Sequence, residues 1–312
     1  MGTLSVTAWM SRGMTMILWR EDRSVPDRVL VTGAAGLLGK AVVADQLAHG
    51  YAVHAVDRRA LEQLPDGPVW FIETDLHDVG QVAYAMKGCV AVIHLGAIPS
   101  PYSHPDEVVF RNNTLATFSV FQAASLLGIK RVAFASSGSL YGTAWTPKRF
   151  QFRYVPVDEA HPFEPHDVYA LTKEVDEATA RMFVRRDHMS IAGLRFHWIA
   201  PREAQLAAVE ARGHEVTPRE ARQLWGYVDI RDAARACRLA IETAEVRPFG
   251  FRALNIVAKD TLITTPTEEA LRIASPDTEI RSPLPGFTGG FDCTAAKELI
   301  GWEAQHSWRD PE

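Results

Sequence analysis

The most constraining feature of the sequence is a glycine-rich string, TGAAGLLG, which begins at Thr32. It follows the apolar, β-branched run RVLVT at 28–32, which predicts a short buried strand. The segment 37–49 has helical spacing and ends before Gly50, a common residue after the end of a helix. Residues 52–56 are apolar again, so the string lies in the first turn of a β-α-β unit.

The glycines of this string, Gly33, Gly36 and Gly39, stand where the backbone can approach a pyrophosphate without interference from a Cβ atom. Alone, such a string would be a weak indication. Here a strand precedes it, a helix follows it, and an acidic residue ends the next strand. This context predicts a dinucleotide-binding site.

The acidic residue is Asp57, which lies 18 residues beyond Gly39. A carboxylate at this strand end can accept both ribose hydroxyls of the adenosine, and it would repel the additional phosphate of NADP. Because of this carboxylate, the sequence favours NAD over NADP as the cofactor. Arg58 and Arg59 follow immediately and could instead hold the additional phosphate, so NADP stays as the alternative.

The alternation of apolar runs and helical segments continues beyond this unit. The sequence predicts strands at 70–73, 91–95, 131–135 and 190–195, and helices at 79–86, 113–127, 169–186 and 229–243. Strands that alternate with helices form a parallel sheet. We therefore expect an α/β fold, a Rossmann-type doubly wound parallel sheet of six strands with a small C-terminal substrate lobe.

Changes in local amino-acid composition divide the chain into regions. Beyond Pro201 the sequence becomes charged and alanine-rich, and its end is rich in proline and glycine. We predict an N-terminal extension at 1–25, a dinucleotide-binding domain at 26–200 to which 225–255 return, and a small substrate-binding lobe formed by 201–224 and 256–312.

Composition narrows the range of partners. The net charge is -5, with 33 basic and 38 acidic residues mixed along the chain, so nucleic acid is not an expected partner. No apolar run approaches the roughly 20 residues of a membrane span, so no membrane association is expected. Cys89, Cys237 and Cys293 lie too far apart for a disulfide framework or a CxxC metal site. We expect a cytoplasmic protein without a bound metal.

Tyr169 and Lys173 stand four residues apart in YALTK, at the start of a predicted helix, so both project from one face. A lysine ammonium near a phenol favours the phenolate, whose unperturbed pKa near 10 would otherwise keep it protonated at neutral pH. Tyr169 could then act as a general base. Alone, this spacing is common on ordinary helix surfaces.

Several further motifs accompany this pair and the glycine string. They are HLGA at 94–97, FASSGSLYG at 134–142, YVDIRD at 227–232 and AAKELIGWEAQHSW at 295–308. Together they make the chain resemble the extended short-chain dehydrogenase/reductase superfamily, and within it the NAD-dependent epimerase/dehydratase family. The resemblance implies an enzyme that transfers a hydride between NAD and a sugar-type secondary alcohol. It implies Ser137, Tyr169 and Lys173 as the catalytic residues.

The same resemblance assigns binding residues. For the cofactor they are Gly33, Gly36, Leu37, Leu38, Gly39, Asp57, Arg58, Asp75, Leu76, Leu95, Gly96, Ala97, Asn113, Ser136, Tyr169, Lys173 and Phe196. For the substrate they are Ser137, Ser139, His197 and Arg222. Asp75 and Leu76 would border the adenine, and Lys173 would also hold the nicotinamide ribose. Alternatively, the Ser136 side chain could form hydrogen bonds only with backbone groups at the end of its strand. His94 is expected to have a structural role.

The chain departs from the nucleotide-sugar epimerase pattern in three places. LRFHWIAP at 194–201 lacks the usual asparagine, and the segment 201–227 is shorter than in those enzymes. Uronate dehydrogenases have a reduced lobe and an arginine placed like Arg222, which could hold a substrate carboxylate. An insertion at 143–155 could cover the pocket or contact a partner subunit.

Three functions stay open from the sequence. The first is an epimerase or dehydratase that returns the hydride to its substrate, and the second is a dehydrogenase of a free sugar or sugar acid. The third is a non-catalytic NAD(P) sensor, although such proteins commonly lose the tyrosine and lysine that are present here. Members of the superfamily often dimerise through helices equivalent to 113–127 and 169–186, so a homodimer is expected.

Overall fold

Seven parallel strands form the central sheet of the computed structural model, which describes residues 26–61, 63–146, 151–213 and 216–311. The predicted extension at 1–25 lies outside the described residues. The strands of the protein are β1 (Arg28–Thr32), β2 (Ala52–Asp57), β3 (Val69–Glu73), β4 (Cys89–His94), β5 (Arg131–Ser137), β6 (Tyr154–Val155), β7 (Ser190–Phe196), β8 (Trp198–Ala200), β9 (Tyr227–Asp229), β10 (Phe251–Ile256) and β11 (Glu279–Ile280).

The strand order of the central sheet is β10-β7-β5-β4-β1-β2-β3, and every neighbouring pair is parallel. The order changes direction between β1 and β4, where doubly wound sheets bind ligands beyond the carboxyl ends of their strands. The expected six-stranded sheet is corrected to seven strands. The additional strand, β10, lies at the edge, and its polar Arg252 and Asn255 interrupt the apolar run that marks a buried strand.

Helices cover both faces of the sheet. The helices described in the chain are α1 (Leu37–Ala48), α2 (Val79–Ala85), α3 (Asp106–Leu126), α4 (Val168–Asp187), α5 (Arg202–Arg212), α6 (Ile230–Val246), α7 (Thr267–Ala274) and α8 (Thr294–Ile300), of which six pack on the central sheet. The apolar faces of α1, α6 and α8 pack on one side of the sheet, and those of α2, α3 and α4 pack on the other. The α/β doubly wound fold expected from the sequence is therefore confirmed.

Helix α3 begins seven residues earlier than the sequence predicted, at Asp106 instead of Asn113. Pro105 precedes the helix, and Asp106 and Glu107 lie in its first turn. Acidic side chains in a first turn interact favourably with the positive end of the helix dipole. These local signals mark the true start, which the apolar periodicity used for the prediction did not include.

A separate apolar cluster forms the C-terminal lobe, and part of the predicted insertion belongs to it. Phe152 and Val155 pack against Leu271 and Leu284 of the lobe, and β6 pairs with β11. The second half of the segment 143–155 therefore packs within its own chain. Strands β8 and β9 form a third, two-stranded sheet between the lobe and the central sheet.

No helix within the described part of the chain has an apolar stretch long enough to cross a lipid bilayer.

Candidate active site

A cavity of about 620 Å³ opens beyond the carboxyl ends of β1, β4, β5 and β7 and extends to the C-terminal lobe. Most of the residues predicted from the sequence line it: Gly33, Gly36, Leu37, Leu38, Gly39, Leu95, Ala97, Ser136, Ser137, Ser139, Tyr169, Lys173, Phe196, His197 and Arg222. The cavity therefore joins the predicted dinucleotide site to the predicted catalytic residues. Its size is typical of a small-molecule site.

The glycine-rich turn at the start of α1 has the close packing that the sequence predicts. Gly33 has a φ of +68°, and a Cβ there would lie 2.8 Å from the backbone nitrogen of Gly96. A Cβ on Gly39 would overlap the carbonyl oxygen of Gly33. Gly36 is the N-cap of α1, and among the described residues it provides no side-chain hydrogen bond to the N–H groups of the first turn. Those N–H groups and the positive end of the helix suit a pyrophosphate.

The residues predicted to hold the adenosine lie beside this cavity and do not line it. The Asp57 carboxylate at the end of β2 accepts hydrogen bonds from the backbone N–H groups of Ala35 and Arg59, both at 3.1 Å. Arg58 is exposed. Asp75 follows β3, and its carboxylate accepts the backbone N–H of His77. These contacts hold the Asp57 carboxylate next to the glycine turn. A carboxylate that accepts the ribose hydroxyls of the adenosine is expected at this position.

Leu76 and Gly96 are in contact, because a Cβ on Gly96 would overlap the Leu76 side chain. Asn113 is fully buried and does not line the cavity. Its side chain bonds both backbone groups of Ile98, at 2.8 and 3.0 Å, and donates to the Thr172 hydroxyl at 3.3 Å. The described contacts of Asn113 thus join the loop after β4 to α4.

Ser136 also uses its hydroxyl inside the protein. It donates to Glu177 at 2.8 Å, although the residue borders the cavity. His94 is buried between the hydroxyls of Thr32 and Thr117, at 2.7 and 3.2 Å. Burial lowers the pKa of His94 to about 3, so the ring is neutral at physiological pH. The described contacts of both side chains are structural.

The three predicted catalytic residues meet in the cavity. Ser137 ends β5, and its hydroxyl accepts the backbone N–H of Ser139 at 3.1 Å. The ammonium of Lys173 lies 5.7 Å from the ring centre of Tyr169, as the i,i+4 spacing on α4 requires. Lys173 is 3% exposed and donates to the carbonyl of Ala135 at 2.9 Å.

A carboxylate that the sequence analysis did not single out holds Lys173. The Oδ2 atom of Asp176, one helical turn along α4, accepts from the Lys173 ammonium at 3.3 Å, and Asp176 is fully buried. Burial alone would lower the pKa of Lys173, but the charges of Asp176 and Tyr169 raise it above its ordinary value. Lys173 therefore keeps its positive charge at neutral pH.

The predicted substrate residues differ in how they face the cavity. Ser139 is 5% exposed, and its hydroxyl has no partner within the described residues. Burial lowers the pKa of His197 to about 3, so this ring is neutral, and it packs against Gly138 and Phe291. Arg222 lines the cavity from the lobe. Residues that follow β5 and β7, together with Arg222 of the lobe, thus line one cavity.

Three tryptophans of the cavity wall were missed by the sequence analysis: Trp145, Trp198 and Trp225. Trp145 lies at the start of the insertion and meets the exposed Tyr102 edge-on at 5.4 Å. Trp198 is the first residue of β8, two residues beyond the end of β7, a strand whose carboxyl end borders the predicted site. That position was a usable signal, because ligands bind beyond strand carboxyl ends in this fold.

Among the described residues, no group of three or more histidine, cysteine, aspartate or glutamate side chains is placed to hold a metal ion.

Residues 29–256 match the model of the NAD dependent epimerase/dehydratase family. The chain belongs to this family. The resemblance stated from the motifs is confirmed, and so is NAD as the cofactor of the family. The chain is therefore placed among the enzymes of the extended short-chain dehydrogenase/reductase type.

Known relatives include sugar dehydrogenases. An NAD-dependent glucose-6-phosphate dehydrogenase of Haloferax volcanii is 32% identical over 54% of this chain and 66% of its own length. A uronate dehydrogenase of Pseudomonas putida is 30% identical over 54% of this chain and 60% of its own length. The matched part of the chain therefore spans slightly less than two thirds of these two relatives.

A solved structure, MoeE5 in complex with UDP-glucuronic acid and NAD, has a TM-score of 0.68 and 26% sequence identity. The similarity covers 90% of this chain and 95% of that one. It therefore includes the C-terminal lobe as well as the dinucleotide-binding part.

Proposed function

We propose that this protein is an NAD-dependent oxidoreductase that removes a hydride from a secondary alcohol of a sugar, with Tyr169 as the general base. The observation that carries the proposal is one continuous cavity in which Ser137, Tyr169 and Lys173 lie beside the glycine turn at 33–39. Cofactor and substrate can meet there at the catalytic residues.

Each side chain has a defined task in this proposal. Tyr169 takes the proton of the substrate hydroxyl. The buried Lys173 ammonium, held by Asp176, places a positive charge 5.7 Å from the ring centre of Tyr169. Ser137 donates a hydrogen bond to the reacting oxygen. NAD, when bound, supplies the hydride acceptor.

The residues present fit this cofactor. The uncapped first turn of α1 would hold the pyrophosphate, and Asp57 would accept the adenosine ribose hydroxyls. Asp75 and Leu76 would border the adenine. The C-terminal lobe, with Arg222, would hold the substrate.

We propose net dehydrogenation of a free sugar derivative as the first outcome. Trp145, Trp198 and Trp225 line the same cavity as the catalytic candidates and offer apolar faces to a sugar ring. Two relatives are named as dehydrogenases of a sugar phosphate and of a uronate. Epimerisation with return of the hydride is the second candidate, favoured by the similarity to a complex with UDP-glucuronic acid.

A substrate panel separates the two outcomes. Sugars, sugar phosphates, sugar acids and nucleotide sugars are incubated with NAD, while NADH is followed by absorbance and products by NMR. A dehydrogenase accumulates NADH in proportion to the oxidised product. An epimerase gives an isomer without net NADH. If neither signal arises with any substrate class, the proposed activity is wrong.

We further propose a homodimer formed through α3 and α4. The two helices pack against each other, and Phe110 and Phe118 on α3 and Leu171 on α4 are each about 40% exposed. Apolar side chains on a shared outer face favour a partner surface. Sedimentation equilibrium should give twice the chain mass of 34.6 kDa. A single-chain mass at micromolar concentration would contradict this proposal.

A further inference from the structure

A row of five buried polar side chains leads from the glycine turn to the catalytic lysine. It consists of Thr32 at the end of β1, His94 at the end of β4, Thr117 on α3, and Asp176 and Lys173 on α4. Each of the five is 4% exposed or less. Buried polar groups are stable only when they are hydrogen-bonded, so the bonds of this row can be followed from one group to the next.

The direction of these bonds is fixed at Thr32. Its hydroxyl oxygen accepts the backbone N–H groups of Leu95 and Gly96, at 3.1 and 3.2 Å, and these two bonds use both of its lone pairs. The hydroxyl hydrogen is therefore left to donate to the Nδ1 atom of His94, at 2.7 Å. A neutral imidazole that accepts at one nitrogen carries its proton on the other, so the proton of His94 lies on Nε2.

The row continues in the same direction to α4. The Nε2–H group of His94 donates to the Thr117 hydroxyl at 3.2 Å. The Thr117 hydroxyl acts in turn on the Asp176 carboxylate as a weak hydrogen-bond donor. Burial raises the pKa of Asp176, and the charge of Lys173 and the hydroxyl of Thr117 oppose that rise. The Oδ1 atom of Asp176 has no closer partner in the described chain, and Oδ2 accepts from Lys173 at 3.3 Å.

This chain of bonds cannot serve as a path for protons to leave the site. Its inner end consists of the backbone N–H groups of Leu95 and Gly96, which do not titrate. Burial also lowers the pKa of His94 to about 3, so the ring does not take up a second proton at physiological pH. The chain can therefore act only by holding its members in place.

The group that it holds is the Lys173 ammonium. A lysine side chain is flexible and has three N–H donors. In the described contacts, one donates to Asp176 and one to the carbonyl of Ala135 at 2.9 Å, which leaves the third for the cavity. The chain thus connects an ammonium on α4 to the loop after β4, where Leu95 lines the same cavity.

We infer that His94, Thr117 and Asp176 are positioning residues, which fix the Lys173 ammonium relative to the loop after β4. The inference rests on the proposed function, because the role of Lys173 is part of it. His94, Thr117 and Asp176 are not among the residues that line the cavity, so they act through Lys173 and touch neither substrate nor NAD.

Thr117→Val and Thr117→Ser test the chain at its middle. Valine keeps the shape of threonine and removes the hydroxyl, whereas serine keeps the hydroxyl. With NAD and the substrate that the panel identifies, Thr117→Val should lower kcat by about 10- to 100-fold, because a small misplacement of a catalytic group can cost about 10²-fold. KM should change far less than kcat, and Thr117→Ser should retain most of the original kcat.

The matched control is Thr179→Val, which removes a hydroxyl from α4 that donates to the carbonyl of Val175 at 2.8 Å, outside the chain. It should keep the original constants. Titration of binding sites with NADH counts the folded molecules, so that lower stability alone does not lower the measured kcat. If Thr117→Val keeps the original kcat, or Thr117→Ser loses as much as Thr117→Val, the inference is wrong while the proposed function stands.

Nitrogen-15 NMR of the histidine-labelled protein tests the chain without turnover and without a substitution. Long-range correlations between ring protons and nitrogens show which nitrogen is protonated, and contacts with Thr32 and Thr117 assign the ring of His94. The proton should lie on Nε2 and stay there between about pH 6 and 8. A proton on Nδ1 would reverse the bonds and overturn the inference.

NADH binding separates this inference from the proposed function. If the panel yields neither oxidation nor isomerisation, the proposed function fails, and the position of Lys173 is then read from the nicotinamide ribose that it is predicted to hold. A dissociation constant for NADH about 10-fold higher in Thr117→Val than in Thr117→Ser would support the chain, since one hydrogen bond to a charged group has an effect of this size. Equal affinities would overturn it.

Discussion

Replacing Tyr169 by phenylalanine should lower kcat by about 10³-fold, because positioned general bases contribute roughly 10²–10⁴-fold to rates. The substitution removes only the hydroxyl. The ring can still pack 5.7 Å from the Lys173 ammonium, and the glycine turn at 33–39 is untouched. NAD affinity should therefore change little. Single-turnover NADH formation measures the chemical step, and calorimetry measures the affinity for NAD.

Tyr84→Phe is the matched control, because Tyr84 lies on α2, is 69% exposed and does not line the cavity. It should keep full activity. A Tyr169→Phe protein that turns over at the original rate would remove Tyr169 from the mechanism. If the original protein binds NAD tightly and neither oxidises nor isomerises any member of the substrate panel, the sensor hypothesis replaces the enzyme.

Local signals in the sequence were sufficient for the cofactor side of the site. The glycine string predicts the turn correctly because two of its constraints are local, the positive φ of Gly33 and the close approach of Gly39 to the backbone of Gly33 and Ala34. The Tyr169 and Lys173 pair likewise follows from the period of a single helix. Neither inference needs knowledge of distant parts of the chain.

The substrate side could not be assembled in the same way. Trp145 and Trp225 are 80 residues apart in the sequence and line one cavity only in the folded chain. Arg222 was singled out only through the resemblance to uronate dehydrogenases, and Arg219, which lines the same cavity, was not singled out at all. Nothing local showed which cavity arginines are already paired.

The neighbouring serines illustrate a second limit. Ser136 and Ser137 follow each other on β5, and successive side chains on a strand point to opposite sides. Ser136 bonds the buried Glu177, whereas Ser137 caps the turn that leads into the cavity. The motif alone could not show whether the Ser136 hydroxyl contacts the cofactor or forms a hydrogen bond inside the core.

The second prediction with a large expected effect concerns the free energy of unfolding, and it involves the buried Glu177 that Ser136 contacts. Arg195 and Glu177 form a bidentate ion pair in which both N···O distances are 2.9 Å. Their side chains are 1% and 0% exposed, respectively. Arg195 also donates to the Tyr141 hydroxyl and to the carbonyl of Glu159, both at 3.0 Å. Glu177 in turn accepts from Ser136. One ion pair therefore joins β7 and α4 to β5, the strand that carries Ser136 and Ser137.

Arg195→Met should lower the free energy of unfolding by about 3–5 kcal/mol, because it leaves the Glu177 charge buried without its main partner. Adding Glu177→Leu should recover at least about 2 kcal/mol of that loss, since a buried pair replaced by apolar side chains is often nearly neutral. Urea denaturation of both variants measures the changes. Arg272→Met, which breaks an exposed pair with Glu268, is the control and should cost less than about 0.5 kcal/mol. A loss below about 1 kcal/mol for Arg195→Met would show that water or nearby groups compensate the Glu177 charge, and that the ion pair does not hold the serine strand in place.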